Sequence, residues 1–359
     1  MEFKNIFSEA IINKEDSKRA SRIASKIDLN KVIRMGFNEH PYGMSQKTKV
    51  AIYEASLMGN YYGDFQASKL RNNIAEYYGL KIENVIMGSG SSAIIDILSS
   101  TFLDKDDEVL MCRTFPAFID MAQMRQAKPV ILPLNDDMTY DLNGILENIN
   151  SKTKMIIICN PNNPTGTYLC AEKLEEFIKK VPNDVVVVID EAYIEFATAP
   201  DCESMVKLLR EKINKPLIVL KTFSKFYGMA GMRVGYALAD ETIIKEMQKC
   251  SLAWNLSRPA QEGAIAALND AEYYDDVKNK IVEGRNYLSR ELGKLGCKVY
   301  DSQTNFIYFD AHMDSLELVS EVVKRGIIIS SAVHSRVSIG TKEQNEKFIN
   351  IMTEILRNN

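Results

Sequence analysis

Short runs of apolar, β-branched residues alternate with helical patterns through most of the chain. The runs at 155–159, 185–189 and 217–221 are apolar almost throughout, as expected for strands that are buried on both faces. Further strands are predicted at 84–87, 108–112 and 129–133, and a helix at 92–102. Because strands alternate with helices, we expect an α/β fold with a mostly parallel sheet between helices.

The final part of the chain has a different pattern. A charged amphipathic helix at 271–295 leads into alternating strands and a closing helix, predicted at 298–300, 305–309, 326–330, 336–339 and 342–356. The first 35 residues show a helix and a short strand without a core of their own, so we place them beside the C-terminal unit. We therefore expect a large domain at 36–268 and a smaller α+β domain formed by 1–35 and 269–359.

Composition and charge narrow the class of protein. The 359 residues carry a net charge of −4, which gives no electrostatic reason to bind nucleic acid or an anionic membrane. No apolar run approaches the roughly 20 residues of a membrane helix, and residues 1–18 lack the apolar core of a signal peptide. The six cysteines are scattered and the three histidines lack ligand spacing. We expect a cytoplasmic protein without a metal.

Lys225 stands in a pattern that suits a reactive amine beside a phosphate group. It follows the strand at 217–221 and precedes Arg233 by eight residues, with glycines between them. These glycines let the chain fold back, so that Arg233, Thr222 and Ser224 can meet one phosphate. A lone lysine would be an ordinary surface residue, and the flanking pattern argues against that interpretation.

Three more segments follow predicted strands. Asp190 ends an apolar strand and would emerge at its carboxyl end, with Tyr193 close behind. The segment 160–166, Asn-Pro-Asn-Asn-Pro-Thr-Gly, forms a rigid turn that presents Asn163. The turn 88–92, Gly-Ser-Gly-Ser-Ser, precedes a helix and offers backbone N–H groups to a phosphate. Taken singly, these segments have ordinary explanations as a helix cap, a proline turn and a glycine loop.

Together the segments supply the parts that pyridoxal 5′-phosphate (PLP) requires. These are a lysine for the aldehyde, a carboxylate for the ring nitrogen, donors to the phenolic oxygen and a phosphate cradle. The segments 160–166, 190–193 and 224–233 resemble those of fold-type I PLP enzymes, and among these the histidinol-phosphate aminotransferases. The segments 38–43 and 336–341 also match, so the resemblance covers nearly the whole chain.

The resemblance implies an aminotransferase in which Lys225 carries PLP as an imine and moves the substrate α-proton. It implies that Asp190 pairs with the ring nitrogen, that Tyr193 and Asn163 hold the phenolic oxygen, and that Arg336 clamps the substrate α-carboxylate. The other implied residues bind the phosphate (Ser91, Ser92, Thr222, Ser224 and Arg233), stack on the ring (Phe118) or contact the substrate (Asn38 and Tyr42).

Tyr62 matches a tyrosine that in this family reaches the phosphate of the neighbouring subunit. The resemblance therefore implies a homodimer with shared active sites. Its small-molecule partners would be an amino acid and a 2-oxo acid such as 2-oxoglutarate.

The substrate side departs from the family pattern. Relatives that use phosphorylated substrates carry a second arginine after the strand at 326–329, where this chain has Ser330, followed by a short loop to Arg336. A lost guanidinium removes a contact of roughly 1.5–3 kcal/mol. We hypothesise that the donor is an uncharged or aromatic amino acid instead of a histidinol-phosphate-like one. His334 is a candidate partial replacement for the missing cation.

Two other functions compete with transamination. A PLP-dependent decarboxylase resembling threonine-phosphate decarboxylase would use the same cofactor residues, since only the Cα bond that is broken differs. A ligand-sensing domain of a transcription regulator would need a DNA-binding module, and no basic helix-turn-helix segment precedes Asn38.

Overall fold

The structure is a computed structural model that describes residues 9–12, 28 and 31–357. Its strands are β1 (Ile33–Arg34), β2 (Val85–Ser89), β3 (Glu108–Cys112), β4 (Lys128–Leu132), β5 (Thr153–Cys159), β6 (Val186–Asp190), β7 (Leu217–Thr222), β8 (Val234–Ala239), β9 (Lys298–Val299), β10 (Phe306–Asp310), β11 (Ile327–Ile328), β12 (Ser330–Ser331) and β13 (Ser335–Ser338). Its α-helices are α1 (Glu9–Ile12), α2 (Gln46–Ser56), α3 (Ser68–Tyr78), α4 (Ser91–Phe102), α5 (Ala117–Met124), α6 (Leu142–Glu147), α7 (Ala171–Lys180), α8 (Val206–Arg210), α9 (Glu241–Gln248), α10 (Arg258–Leu268), α11 (Ala271–Lys294), α12 (Ser315–Lys324) and α13 (Lys342–Arg357).

The large sheet has the strand order β2-β8-β7-β6-β5-β3-β4. Its strands run parallel to one another except β8, which is antiparallel to both of its neighbours, β2 and β7. The predicted α/β class with a mostly parallel sheet is confirmed. The sequence analysis did not identify β8, because Gly235, Ala237 and Ala239 have low strand propensity.

Both faces of this sheet are covered by apolar side chains. Along β5, Ile156 and Ile158 belong to one hydrophobic cluster, whereas Met155 and Ile157 belong to a second. Side chains alternate between the two faces of a strand, so each cluster fills the space between the sheet and one layer of helices. This arrangement explains why the strands are continuously apolar.

The C-terminal strands form a separate antiparallel sheet with the order β12-β13-β10-β9, and helix α11 packs against α13. The strand predicted at 326–330 is divided into β11 and β12. Strand β1 pairs in parallel with β11, with Ile33 opposite Ile327. This pairing places β1 beside β11. The domain boundaries at 36 and 268 stay a prediction, and most of residues 1–30 lie outside the described part of the chain.

No helix in the described ranges is long and apolar enough to cross a membrane. The same residues contain no group of three or more His, Cys, Asp or Glu side chains that could hold a metal ion.

Candidate active site

The predicted lysine, carboxylate and amide lie at one edge of the large sheet. Asp190 is the last residue of β6, Lys225 lies three residues beyond β7, and Asn163 is in the turn after β5. Because β5, β6 and β7 are adjacent and parallel, their following loops leave the sheet on the same side. The structure brings these three residues together around Tyr193.

The amine of Lys225 is held close to the aromatic and polar groups of the site. Its Nζ donates a hydrogen bond to the carbonyl oxygen of Phe37 at 3.0 Å and lies 5.9 Å from the ring centroid of Tyr193. Burial, and then the positive charge of Arg336, lower the pKa of Lys225 to about 8. A substantial fraction of this amine is therefore neutral near pH 8, as a nucleophile requires.

Asp190 is a buried carboxyl group with few compensating contacts. Its Oδ1 accepts a hydrogen bond from the backbone N–H of Ala192 at 3.1 Å. Burial raises the pKa of Asp190 to about 6, Glu191 adds to the rise, and Lys225 opposes it. A protonated ring nitrogen is a partner that would stabilise the charged form of this carboxylate.

Two amides converge on the hydroxyl of Tyr193. Asn38 donates to it from Nδ2 at 2.9 Å, and Asn163 does so at 3.4 Å. Asn38 is fixed in turn by Ser338, whose Oγ accepts from its backbone N–H at 2.9 Å, and by Asn305, which donates to its carbonyl at 3.1 Å. Burial raises the pKa of Tyr193, so its hydroxyl keeps its proton and remains a donor.

A tight cradle of backbone and cationic groups lies between the turn after β2 and the start of β8. Arg233 donates from Nη1 to the Oγ of Ser224 at 3.3 Å. Close packing leaves no room for side chains here: a Cβ on Gly90 would lie 2.2 Å from Nη2 of Arg233, and one on Gly235 would lie 2.2 Å from the backbone nitrogen of Ser91. With the N-terminus of α4 beside it, this cradle has the chemistry of a phosphate site.

Thr222 and Ser92, the other two predicted phosphate ligands, contribute less to this cradle. The Oγ1 of Thr222 accepts from the backbone N–H of Ser224 at 3.1 Å and donates to the carbonyl of Val234 at 3.3 Å, so it shapes the loop. Ser92 is exposed in the first turn of α4.

Arg336 is anchored at the substrate side of the site. Its Nη1 donates to Oδ1 of Asn163, and its Nη2 donates to the carbonyl of Gly36 at 3.1 Å. The guanidinium lies 5.2 Å from the ring centroid of Phe306. Its Nε is buried and has no hydrogen-bond partner among the described residues. A buried guanidinium N–H without a protein partner is available to a ligand or a water molecule.

The predicted stacking residue does not fit its role. Phe118 lies in α5 within the hydrophobic cluster on one face of the sheet and is 0% exposed. Protein atoms cover both faces of its ring, which therefore has no face to offer to a cofactor. Phe115, at the carboxyl edge just beyond β3, is only partly buried, and its ring meets Phe118 edge to face at 6.4 Å.

Two further predicted residues, Tyr62 and Tyr42, have their recorded contacts with other parts of the chain. Tyr62 is 79% exposed, and its ring packs on Trp254 at a centroid distance of 4.9 Å. The ring of Tyr42 lies 5.4 Å from Nζ of Lys280, and Tyr273 donates to its carbonyl at 3.0 Å, so it packs on α11. The role of Tyr42 in substrate binding stays a prediction.

The sequence analysis missed a buried ion network beneath the site. Nζ of Lys221 lies 3.0 Å from Oε2 of Glu191 and 2.9 Å from Oε1 of Glu195. Burial alone would lower the pKa of Lys221, but the two carboxylates outweigh it and the net shift is upward. A lysine inside an otherwise apolar strand was the available sequence signal.

Comparison with known proteins assigns the family. Residues 30–352 match the family described as aminotransferase class I and II. The chain belongs to this family. The aminotransferase is 36% identical over 349 residues to histidinol-phosphate aminotransferase of Bacillus subtilis (strain 168), covering 95% of this chain and 96% of the relative. The corresponding Geobacillus sp. (strain WCH70) protein is 36% identical over 350 residues, covering 96% of this chain and 95% of the relative.

Solved structures agree with this assignment. The aminotransferase superposes on histidinol-phosphate aminotransferase from Sinorhizobium meliloti in complex with pyridoxal-5′-phosphate with a TM-score of 0.90, at 26% identity and 98% coverage of both chains. Aspartate aminotransferase from Thermus thermophilus shares the fold, with a TM-score of 0.84 at 20% identity over 97% of this chain and 99% of that one.

This aminotransferase is a PLP-dependent enzyme. Its donor set fits the cofactor: a buried amine of lowered pKa, a buried carboxylate and a cradle that a Cβ would fill. The predictions of family, cofactor and activity are confirmed, whereas the roles of individual residues stay proposals.

Proposed function

We propose that the enzyme takes the amino group of an amino donor and passes it to a 2-oxo acid, with the anionic end of each substrate bound by Arg336. The unpaired, buried Nε of Arg336 is the observation that carries this proposal. Contacts to Asn163 and Gly36 fix the planar guanidinium, so it is preorganised for a carboxylate or phosphate.

In this proposal Lys225 would hold the cofactor and then move the proton from the substrate Cα to C4′ of the cofactor. Its pKa of about 8 lets the amine act as a base near neutral pH. When bound, PLP supplies the electron sink for the charge that develops at Cα. Asp190 would pair with the ring nitrogen, and Tyr193 and Asn163 would hold the phenolic oxygen.

We assign ring stacking to Phe115 in place of Phe118. Phe115 lies at the carboxyl edge of the sheet, where β6 ends at Asp190 and the loop of Lys225 begins, and it is only partly buried. Ser224, Arg233 and the turn at Gly90 would bind the phosphate.

Histidinol phosphate is the first donor to test, because the relatives described above are histidinol-phosphate aminotransferases. Ser330 lies directly opposite Arg336 in the β12–β13 pair. A serine there supplies no second positive charge, which keeps an uncharged or aromatic donor as the alternative expected from the sequence.

The test is to mix the PLP-loaded enzyme with single donors and record the cofactor absorbance while analysing the products. We expect a shift to shorter wavelength and formation of the ketone or 2-oxo acid that corresponds to the donor. Release of CO₂ would indicate a decarboxylase. No spectral change with any amine in a broad panel would contradict the proposal, and Lys225→Ala should abolish turnover.

We also propose a cytoplasmic homodimer in which Tyr62 reaches the neighbouring active site. Tyr62, Phe65, Leu252 and Trp254 form an exposed apolar patch, with Trp254 in ring contact with both Tyr62 and Phe65. Apolar patches of this kind mark protein interfaces.

A further inference from the structure

A second guanidinium, that of Arg113, stands near the substrate side of the site. Arg113 follows β3 at the carboxyl edge of the sheet. Its carbonyl accepts a hydrogen bond from Nδ2 of Asn162 at 3.3 Å, and the next residue, Asn163, accepts one from Arg336. The two arginines therefore flank the same rigid turn.

Tyr308 is a buried residue whose pKa is affected by both Arg113 and Arg336. It lies directly opposite Arg336 in the β10–β13 pair, and its hydroxyl accepts from the backbone N–H of His334 at 3.1 Å. Burial raises the pKa of Tyr308, and the charges of Arg113 and Arg336 both oppose this rise. The hydrogen bond to Asn162 and the pairing of Tyr308 with Arg336 thus place both arginines on the same side of the site, in agreement with their common effect on the pKa of Tyr308.

The charge of Arg113 is not neutralised within the described residues. Its guanidinium is exposed and has neither a hydrogen bond nor a carboxylate within ion-pair distance there. The nearby carboxylate of Asp310 faces His334 instead, with 3.7 Å between Oδ2 and Nδ1. His334 also stacks on Tyr300 at a centroid distance of 5.9 Å. An anion at this place would meet Arg113 without displacing an existing ion pair.

We propose that Arg113 is a specificity residue that acts with Arg336 to select substrates carrying two negative charges, as a dicarboxylate or as a phosphate monoester. This inference rests on the proposed function and names its substrate class. Ser330 in β12 carries no positive charge. Arg113, in the loop after β3, supplies one instead. It favours an anionic substrate over the uncharged donor expected from Ser330 alone.

The test compares charged and neutral substrates of the same shape in wild type, Arg113→Ala and Arg113→Lys. The pairs are L-glutamate with L-glutamine and histidinol phosphate with histidinol, with L-phenylalanine as a third neutral donor. Loss of one charge-assisted contact should lower kcat/KM of Arg113→Ala by about 10- to 100-fold for each charged donor. The neutral donors should change less than about threefold, with Arg113→Lys in between. The effect of Arg113→Ala on glutamate, compared with its effect on histidinol phosphate, shows whether Arg113 selects a dicarboxylate or a phosphate monoester.

Binding gives a readout that is independent of turnover. The dissociation constant of glutarate, measured by calorimetry on the PLP-loaded enzyme, should rise in Arg113→Ala by a similar factor, and that of butyrate should not. Lys128→Ala is the matched control, because this exposed lysine pairs with Glu108 at the opposite end of β3. Equal loss for all donors, or no loss, would overturn the role of Arg113. If the wild type converts no amine at all, the proposed function itself fails.

Discussion

The amine of Lys225 lies among charges of opposite sign. Arg336 and Arg233 lower its pKa, whereas Glu39 and Asp190 raise it, and burial has the largest effect. The net result is a pKa of about 8, below the ordinary lysine value of roughly 10.4. Burial thus has the largest effect on the pKa of Lys225, and the neighbouring charges have smaller effects.

This balance predicts how the apoenzyme captures PLP. Below pH 8 the amine is protonated and unreactive, so the capture rate should rise through a midpoint near pH 8 and then level off. Stopped-flow absorbance after mixing apoenzyme with PLP measures this rate. Arg336→Gln removes a charge that lowers the pKa, so its midpoint should move to higher pH. A midpoint near 10 in the wild type would contradict the assigned environment.

The sequence predicted those site residues whose importance is visible locally. Lys225, Asp190 and Asn163 stand in short motifs directly after apolar strands. Arg113 and Asn305 could not be predicted, because their roles depend on contacts with residues far along the chain. The sequence does not reveal that Phe118 is fully buried and Phe115 only partly buried, because burial is a property of the fold.

Two adjacent strands carry the main groups of the site, and the ion network of Lys221 joins them. Lys221 in β7 binds Glu191, which follows Asp190 at the end of β6. Glu191 also accepts from the backbone N–H of Met205 at 2.6 Å. The network therefore fixes the position of Asp190 relative to the loop that carries Lys225.

Lys221→Met should destabilise the fold strongly, because it leaves the buried carboxylate of Glu191 and the partly buried one of Glu195 without their cation. We expect a loss of about 3–5 kcal/mol in the free energy of unfolding. Urea denaturation followed by circular dichroism measures this. Lys69→Met breaks the exposed pair with Glu262 and should have a much smaller effect. Equal effects of the two variants would show that the buried network contributes little.

Strand β8 and helix α4 meet at Gly235, and this contact sets the size of the cradle. Gly235→Ala should weaken PLP binding by at least about tenfold, because its Cβ would meet the backbone of Ser91. Absorbance titration of the apoenzyme gives the dissociation constant. Gly231→Ala is the control, since nothing lies within 4 Å of a Cβ there. Unchanged affinity in Gly235→Ala would place the phosphate elsewhere.

The elements themselves were predicted unevenly. Parallel strands such as β5 are visible as continuous apolar runs, since helices cover both of their faces. Strand β8 could not be recognised from its small residues, and its antiparallel direction depends on pairing with β2 and β7. Strands β1 and β11 have two residues each, so their exact bounds depend on their pairing with each other.

At the scale of the whole molecule, the exposed patch around Trp254 predicts association. The enzyme should elute with twice the chain mass of 40.6 kDa in light scattering coupled to gel filtration. Leu252→Asp places a charge on a side chain that is 81% exposed in the single chain, so it should produce monomers with weakened PLP binding. Leu316→Asp, on an exposed leucine of α12, should remain dimeric. A wild type that elutes as a monomer would refute the proposed sharing of Tyr62.

The pairing of β1 with β11 constrains how the protein is made in the cell. Ile33 leaves the ribosome before its partner Ile327, which follows after about 15–60 s at roughly 5–20 residues per second. The hydrogen bond from Arg336 to the carbonyl of Gly36 likewise cannot form until Arg336 has been synthesised. During translation β1 therefore stays unpaired until β11 has been made, and the part of the site around Arg336 can assemble only after that.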